Sequence, residues 1–199
     1  MLTGTLQKSY SLLAPIYDGA VALPTRAARQ QSLALLGEVH GMNILICGIG
    51  TGLDIQYLPS GAHYTCIDLT YAMLKRARRR ITTQNIILHQ GDAMQLPYPD
   101  QCFSVVIMHL ILTVTPFSQQ TLDEATRVLA PNGKILILDK FLKPGQRAPV
   151  RRLLSPLIAK IATRTDVVFE DLSHPDFTVL SDTPALAFGW FRHILLQKN

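Results

Sequence analysis

Five short apolar runs recur along the middle of the chain: Asn43 to Cys47 (NILIC), Tyr64 to Asp68 (YTCID), Asn85 to Gln90 (NIILHQ), Phe103 to Leu110 (FSVVIMHL) and Gly133 to Phe141 (GKILILDKF). They are rich in Ile, Leu and Val and largely apolar at consecutive positions, the pattern of strands covered on both faces. Between them, Thr70 to Thr82 and Ser118 to Ala130 carry helical spacing. Buried strands separated by helices form a parallel sheet with right-handed crossovers, so the pattern predicts a doubly wound α/β domain. The tail FTVLSDTPALAFGWFRHILLQK reads as two strands with a short connection and no room for a helix, which predicts a final antiparallel strand on the parallel sheet. Ahead of all of these, Ala27, Leu33, Leu36 and Val39 can share one helical face, with Pro24 near a start and Gly37 or Gly41 near a stop. That gives one domain, with a helical N-terminal segment over 1–40 and an α/β core over 41–199.

The turn after the first run is bare. Gly48, Gly50 and Gly52 follow one another at two-residue spacing in CGIGTGLD. Glycines at a strand-to-helix turn let the backbone approach a ligand closely, and N–H groups at a helix start favour negative charge. A ligand is therefore predicted over the carboxyl end of the first strand, at the place where doubly wound sheets commonly bind one. Two acids extend the pattern. Asp68 ends the second run, from where a carboxylate accepts hydrogen bonds from both hydroxyls of a ribose. Asp92 follows the third run in GDAMQLP, where it and the next backbone N–H reach an adenine edge. A glycine loop and two such acids at three successive strand ends describe a nucleoside. A nicotinamide cofactor competes, since Asp68 lies 20 residues past Gly48; against it stand Leu53 where the dinucleotide fingerprint has its last glycine, Asp92, and the terminal strand pair.

The runs LICGIGTG, IDLTYAML, GDAMQLPYPDQCFSVVIM and EATRVLAPNGKILILD resemble, in order and separation, the class I S-adenosylmethionine-dependent methyltransferases across residues 40–140. The terminal strand pair resembles that fold's antiparallel seventh strand. The resemblance implies a Rossmann-like, seven-stranded, mostly parallel sheet, with S-adenosylmethionine as cofactor and S-adenosylhomocysteine as product. It also implies that Gly48, Gly50 and Gly52 line the methionine part, Asp68 holds the ribose, Leu69 and Met73 flank the adenine, and Asp92 with Ala93 addresses its amino edge. Ser104 departs from the family, which usually has an aspartate there, at a strand start away from the ligand. The segment YSLLAPIYDGAV resembles the opening of UbiE-type quinone methyltransferases and of bacterial phosphatidylethanolamine N-methyltransferases, in which it closes over the cofactor. Tyr10 and Tyr17 fall in it, and an aromatic face suits a sulfonium cation. The expected acceptor is small or amphiphilic, a phospholipid amine first and a quinone ring second.

Charge and composition refine this picture. The net charge of +5 suits an anionic partner. Lys140, Lys143, Arg147, Arg151, Arg152, Lys160 and Arg164 fall in one acid-free span, where Leu153, Leu154, Leu157, Ile158 and Ile161 keep helical spacing. A basic amphipathic segment over 147–164 suits peripheral contact with an anionic membrane. Nucleic acid is the weaker partner, because there is no asparagine-proline-proline-aromatic motif for exocyclic base amines. The start lacks a basic region followed by an apolar one, and no run approaches a spanning helix, which predicts a soluble cytoplasmic protein. Cys47, Cys66 and Cys102 lack metal-site spacing and read as reduced thiols, with no metal. His109 follows the fourth strand, where residues of this fold face the transferred methyl, and histidine titrates near working pH. His109 and Tyr17 are the candidate catalytic residues.

Overall fold

The computed structural model describes residues 22–82, 85–142, 166–172, 175–186 and 189–199. A helix α1 covers 22–34. After it come β1 (Asn43–Cys47), β2 (His63–Asp68), α2 (Tyr71–Arg78), β3 (Asn85–Gln90), β4 (Phe103–His109), α3 (Ser118–Val128), β5 (Leu129–Lys140), β6 (Phe177–Leu186) and β7 (Phe191–Lys198). The seven strands form one sheet in the order β3-β2-β1-β4-β5-β7-β6. The first five strands run parallel; β7 is antiparallel to both β5 and β6. The α/β class, the seven strands and the antiparallel final strand agree with the expectation from the sequence.

Strand alternation builds both core layers. On one face Leu45, Cys47, Val106, Met108 and Ile137 meet Leu122, Ala125 and Val128 of α3. On the other, Ile44, Ile46, Cys66, Val105 and Ile107 meet Leu33 and Leu36 from the α1 region and Leu74 and Ala77 of α2. Since β1 has neighbours on both edges and helices over both faces, all its residues but Asn43 are buried. The chain steps outward from β1 through β2 to β3, then returns to place β4 on the other side of β1. The order reverses between β1 and β4, and crevices for ligands open at the carboxyl ends of such a pair.

Several boundaries differ from the sequence reading, α2 stopping at Arg78 instead of Thr82. The second long helix stops at Val128 instead of Ala130, and β5 begins at Leu129 instead of Gly133. The register to β4 shifts there, from Phe103 opposite Leu129 to Val105 opposite Lys134, and Asn132 sits at φ 60°. The Pro131-Asn132-Gly133 sequence thus makes an irregularity inside the strand rather than a separate turn. The buried face of α1 also differs. Leu33, Leu36 and Val39 are buried as expected, but Ala27 is exposed, and Thr25, Arg29 and Ser32 lie inward beside Ala28. Three polar side chains on the inner face need partners there.

Candidate active site

A cavity opens over the carboxyl ends of β1, β2 and β4. Its wall includes Gly48 and Gly50 after β1, Asp68 and Leu69 at the end of β2, Met73 in the first turn of α2, Asp92 and Ala93 after β3, and the segment Leu110 to Pro116 after β4. Seven of the residues singled out in the sequence therefore share one wall: Gly48, Gly50, Asp68, Leu69, Met73, Asp92 and Ala93.

Asp68 organises the loop. Its Oδ2 accepts the Gly50 N–H at 2.8 Å and its Oδ1 accepts the Thr70 N–H at 2.9 Å. One carboxylate thus ties the glycine turn to the start of α2. Burial raises its carboxyl, while the Thr70 and Gly50 N–H groups pull it back down. Each oxygen keeps acceptor capacity for a further donor. Asp92 closes its own turn by accepting the Met94 N–H on Oδ1 at 2.9 Å. Gly50 has φ +58°, and a Cβ there meets nothing within 4 Å, so its bare backbone borders open space.

Gly52 does not belong to this wall. A Cβ at Gly52 lies 2.9 Å from the Ala77 Cα and 2.7 Å from the Ile55 Cδ1. The glycine lets α2 close onto the turn, and its φ of +82° is one that L side chains rarely adopt. Its expected place along the methionine part of the cofactor is corrected to a packing role. Gly52→Ala should cost about 2–4 kcal/mol of stability, from overpacking plus left-handed strain, while the folded fraction keeps its affinity for S-adenosylhomocysteine. Thermal unfolding and calorimetry check this; an unchanged melting temperature with lost affinity would return Gly52 to the ligand.

His109 is also turned away from the cavity. It shares a strand face with Val105 and Ile107, the face that α1 covers. Its Nδ1 lies 3.0 Å from Asp54 Oδ1 and its Nε2 3.0 Å from Ser32 Oγ. Asp54 in turn accepts Arg29 Nη1–H at 2.8 Å, and Arg29 Nε–H donates to Thr25 Oγ1 at 2.9 Å. These are the partners of the polar face of α1, all five residues being buried. Burial alone would raise the Asp54 carboxyl, but the Arg29 guanidinium and the His109 ring hold it well below the usual carboxylate range. An ionised Asp54 only accepts, so His109 donates from Nδ1. The order Ser32, His109, Asp54 has the connectivity of a hydrolytic triad, yet Ser32 is fully buried in α1 and lies outside the cavity wall. With both ring nitrogens committed to these partners, His109 is corrected from a cofactor-facing base to a structural residue joining α1, the turn after β1 and β4.

Tyr10, Tyr17 and the segment 147–164 lie outside the described residues. Cys47 and Cys66 are buried in β1 and β2, and burial pushes the Cys47 thiol up to about 12. Among the described residues no group of His, Cys, Asp and Glu could hold a metal ion, and no helix is long and apolar enough to cross a membrane. The apolar stretch Leu110, Ile111, Val114 and Pro116, which completes the wall, carries no motif, and in the sequence its place after β4 was the one sign of it.

The family described as methyltransferase domain matches residues 45–137, from within β1 into β5. Phosphatidylethanolamine N-methyltransferase of Cereibacter sphaeroides is 27% identical over 200 residues, covering 98% of this chain and 98% of the relative. Demethylmenaquinone methyltransferase of Tropheryma whipplei is 30% identical over 184 residues, covering 86% of this chain and 75% of the relative. Among solved structures, an S-adenosylmethionine-dependent methyltransferase from Mesorhizobium loti superposes with a TM-score of 0.67 at 18% identity, covering 86% of this chain and 98% of that one. The glycine turn and acids on one wall, the reversal of strand order beneath them and these relatives agree: the chain belongs to the class I S-adenosylmethionine-dependent methyltransferases.

Proposed function

We propose that this enzyme methylates the amine of a phospholipid of the phosphatidylethanolamine type. In this reading the ribose hydroxyls of S-adenosylmethionine donate to Asp68, Leu69 and Met73 flank the adenine, and Asp92 with the Ala93 N–H addresses its amino edge. The methionine part passes Gly48 and Gly50. The wall fits such a group: open space at Gly50 admits a ligand against the backbone, and both Asp68 oxygens have acceptor capacity left. The cofactor supplies an electrophilic methyl on a sulfonium. The chain's own residues then bind, align and exclude water. Leu110, Ile111, Val114 and Pro116 present an apolar surface on the β4 side, against which an amine nucleophile needs only to be neutral and in line.

The observation that carries the acceptor is the end-to-end match to the Cereibacter phosphatidylethanolamine N-methyltransferase, with 98% of both chains aligned. The 30% identity to a demethylmenaquinone methyltransferase favours a quinone ring as the second reading. In this reading Tyr10 and Tyr17 of the N-terminal segment close over the cofactor, with Tyr17 beside the sulfonium, and 147–164 brings the enzyme to an anionic membrane surface. Labelled methyl transfer from S-adenosylmethionine into a bacterial lipid extract, separated by thin-layer chromatography, tests this. Label in methylated phosphatidylethanolamine is expected; label confined to the quinone band would overturn the amine acceptor.

A further inference from the structure

The carboxylate of Asp139, at the end of β5, is fully buried and takes no part in the wall described above. Its Oδ1 accepts Thr113 Oγ1–H at 2.7 Å and the Lys140 N–H at 2.8 Å, and its Oδ2 accepts the Thr113 N–H at 3.1 Å. Two of these three donors come from one residue in the middle of the segment 110–116. Burial pushes the Asp139 carboxyl up, and the Thr113 hydroxyl and the two N–H groups oppose that. A buried carboxylate is costly unless its hydrogen bonds hold it. Here the loop supplies two of the three.

That loop has a divided construction. Leu112 and Thr113 are 0% and 1% exposed and point inward, while Leu110, Ile111, Val114, Thr115 and Pro116 line the cavity. Leu110 sits at φ 57°, a left-handed conformation that is strained for a non-glycine residue and persists only where its surroundings fix it. The fixing contacts are the Leu110 N–H to Leu138 O at 2.8 Å, Ser118 Oγ–H to Leu112 O at 2.6 Å, and the double bond pair from Thr113 to Asp139. Ile111 then lies against the glycine turn: a Cβ at Gly48 would be 2.6 Å from its Cδ1. The loop thus sets the width of the cavity beside Gly48.

We infer that Asp139 is a positioning residue which, through Thr113, holds Ile111 and its neighbours at the spacing from Gly48 that the methionine part of the cofactor requires. This rests on the cofactor orientation proposed above. Losing the clamp lets the wall shift at that end of the cavity and leaves the Asp68 and Asp92 end in place.

Calorimetric titration with S-adenosylhomocysteine and with 5′-methylthioadenosine, which keeps adenine, ribose and sulfur but lacks the amino acid, tests this. Thr113→Val keeps the shape and removes the hydroxyl donor; Thr113→Ser keeps the donor. Thr113→Val should weaken S-adenosylhomocysteine about tenfold, leave methylthioadenosine within about twofold, and be rescued by Thr113→Ser. Asp139→Asn should show the same split; if it does not fold, the Thr113 pair decides alone, since it leaves the carboxylate on both N–H groups. Equal weakening of both ligands, or wild-type affinity in Thr113→Val, would overturn the inference. Wild-type protein that binds neither ligand, or methylthioadenosine affinity that Asp68→Ala leaves unchanged, would instead overturn the orientation on which it rests.

Discussion

Asp68→Ala is expected to weaken S-adenosylhomocysteine binding at least about 100-fold while the protein stays folded. Two ribose hydroxyls donating to a carboxylate are charge-assisted bonds worth about 1.5–3 kcal/mol each, and each 1.4 kcal/mol is tenfold in affinity. The same carboxylate accepts the N–H groups of Gly50 and Thr70, so the variant also loosens the turn on which the ligand lies. Adenosine should lose affinity in parallel, because it shares the ribose. The wild type should show a pH dependence that the variant lacks. Burial raises the Asp68 carboxyl, and ribose donors need its ionised form; affinity therefore falls as pH drops through the raised value, and binding releases a proton only at pH near or below that value. Calorimetry in buffers of different ionisation enthalpy reads this proton directly. Retained affinity in Asp68→Ala would remove Asp68 from the ligand.

The second large effect is on folding. Asp54→Ala leaves the Arg29 guanidinium buried without the carboxylate that accepts it, and breaking a buried pair this way costs about 3–5 kcal/mol. For a chain of this size that lowers the melting temperature by roughly 10 °C. Adding Arg29→Met should recover part of the loss by removing the buried cation that has lost the Asp54 carboxylate. The linkage follows from the depressed carboxyl: its stabilisation is present above the unfolded-state value near 4 and is lost only as pH falls toward the lower folded value. Acid unfolding of the wild type should thus be steeper than that of Asp54→Ala. Equal acid sensitivity in the two proteins would contradict an ionised Asp54 in this network.

What the sequence revealed follows from how locally each feature is encoded. The central strands showed because burial on both faces leaves an unbroken apolar run, as in Ile44–Cys47, whereas the edge strand β3, expected to be covered on both faces, is largely exposed. The place of Asp68 and Asp92 on the cavity wall could be read because each acid stands where an apolar run stops. The facing of His109 did not show. Val105 to Met108 is apolar at every position, so that run does not tell the α3 side from the α1 side, and His109 follows Val105 and Ile107 toward α1. The inner face of α1 was hidden for the complementary reason. Thr25, Arg29 and Ser32 at helical spacing look like a solvated stripe, and their partners Asp54 and His109 lie 25 residues from Arg29 and 77 from Ser32 respectively. Gly52 belongs to the same motif as Gly50, but one borders open space and the other Ala77, a difference set by where α2 packs. Asp139 ends an apolar strand much as Asp68 does, but its partner is Thr113 instead of the cavity.

The most direct test of the account is a crystal structure of the complex with S-adenosylhomocysteine. The account predicts the adenosyl group over the carboxyl ends of β1, β2 and β4, with ribose hydroxyls within about 3 Å of the Asp68 carboxylate, the adenine between Leu69 and Met73 facing Asp92 and Ala93, and the amino acid beside Gly48 and Gly50. A ligand bound elsewhere, or one in this cavity whose ribose leaves Asp68 untouched, would contradict it.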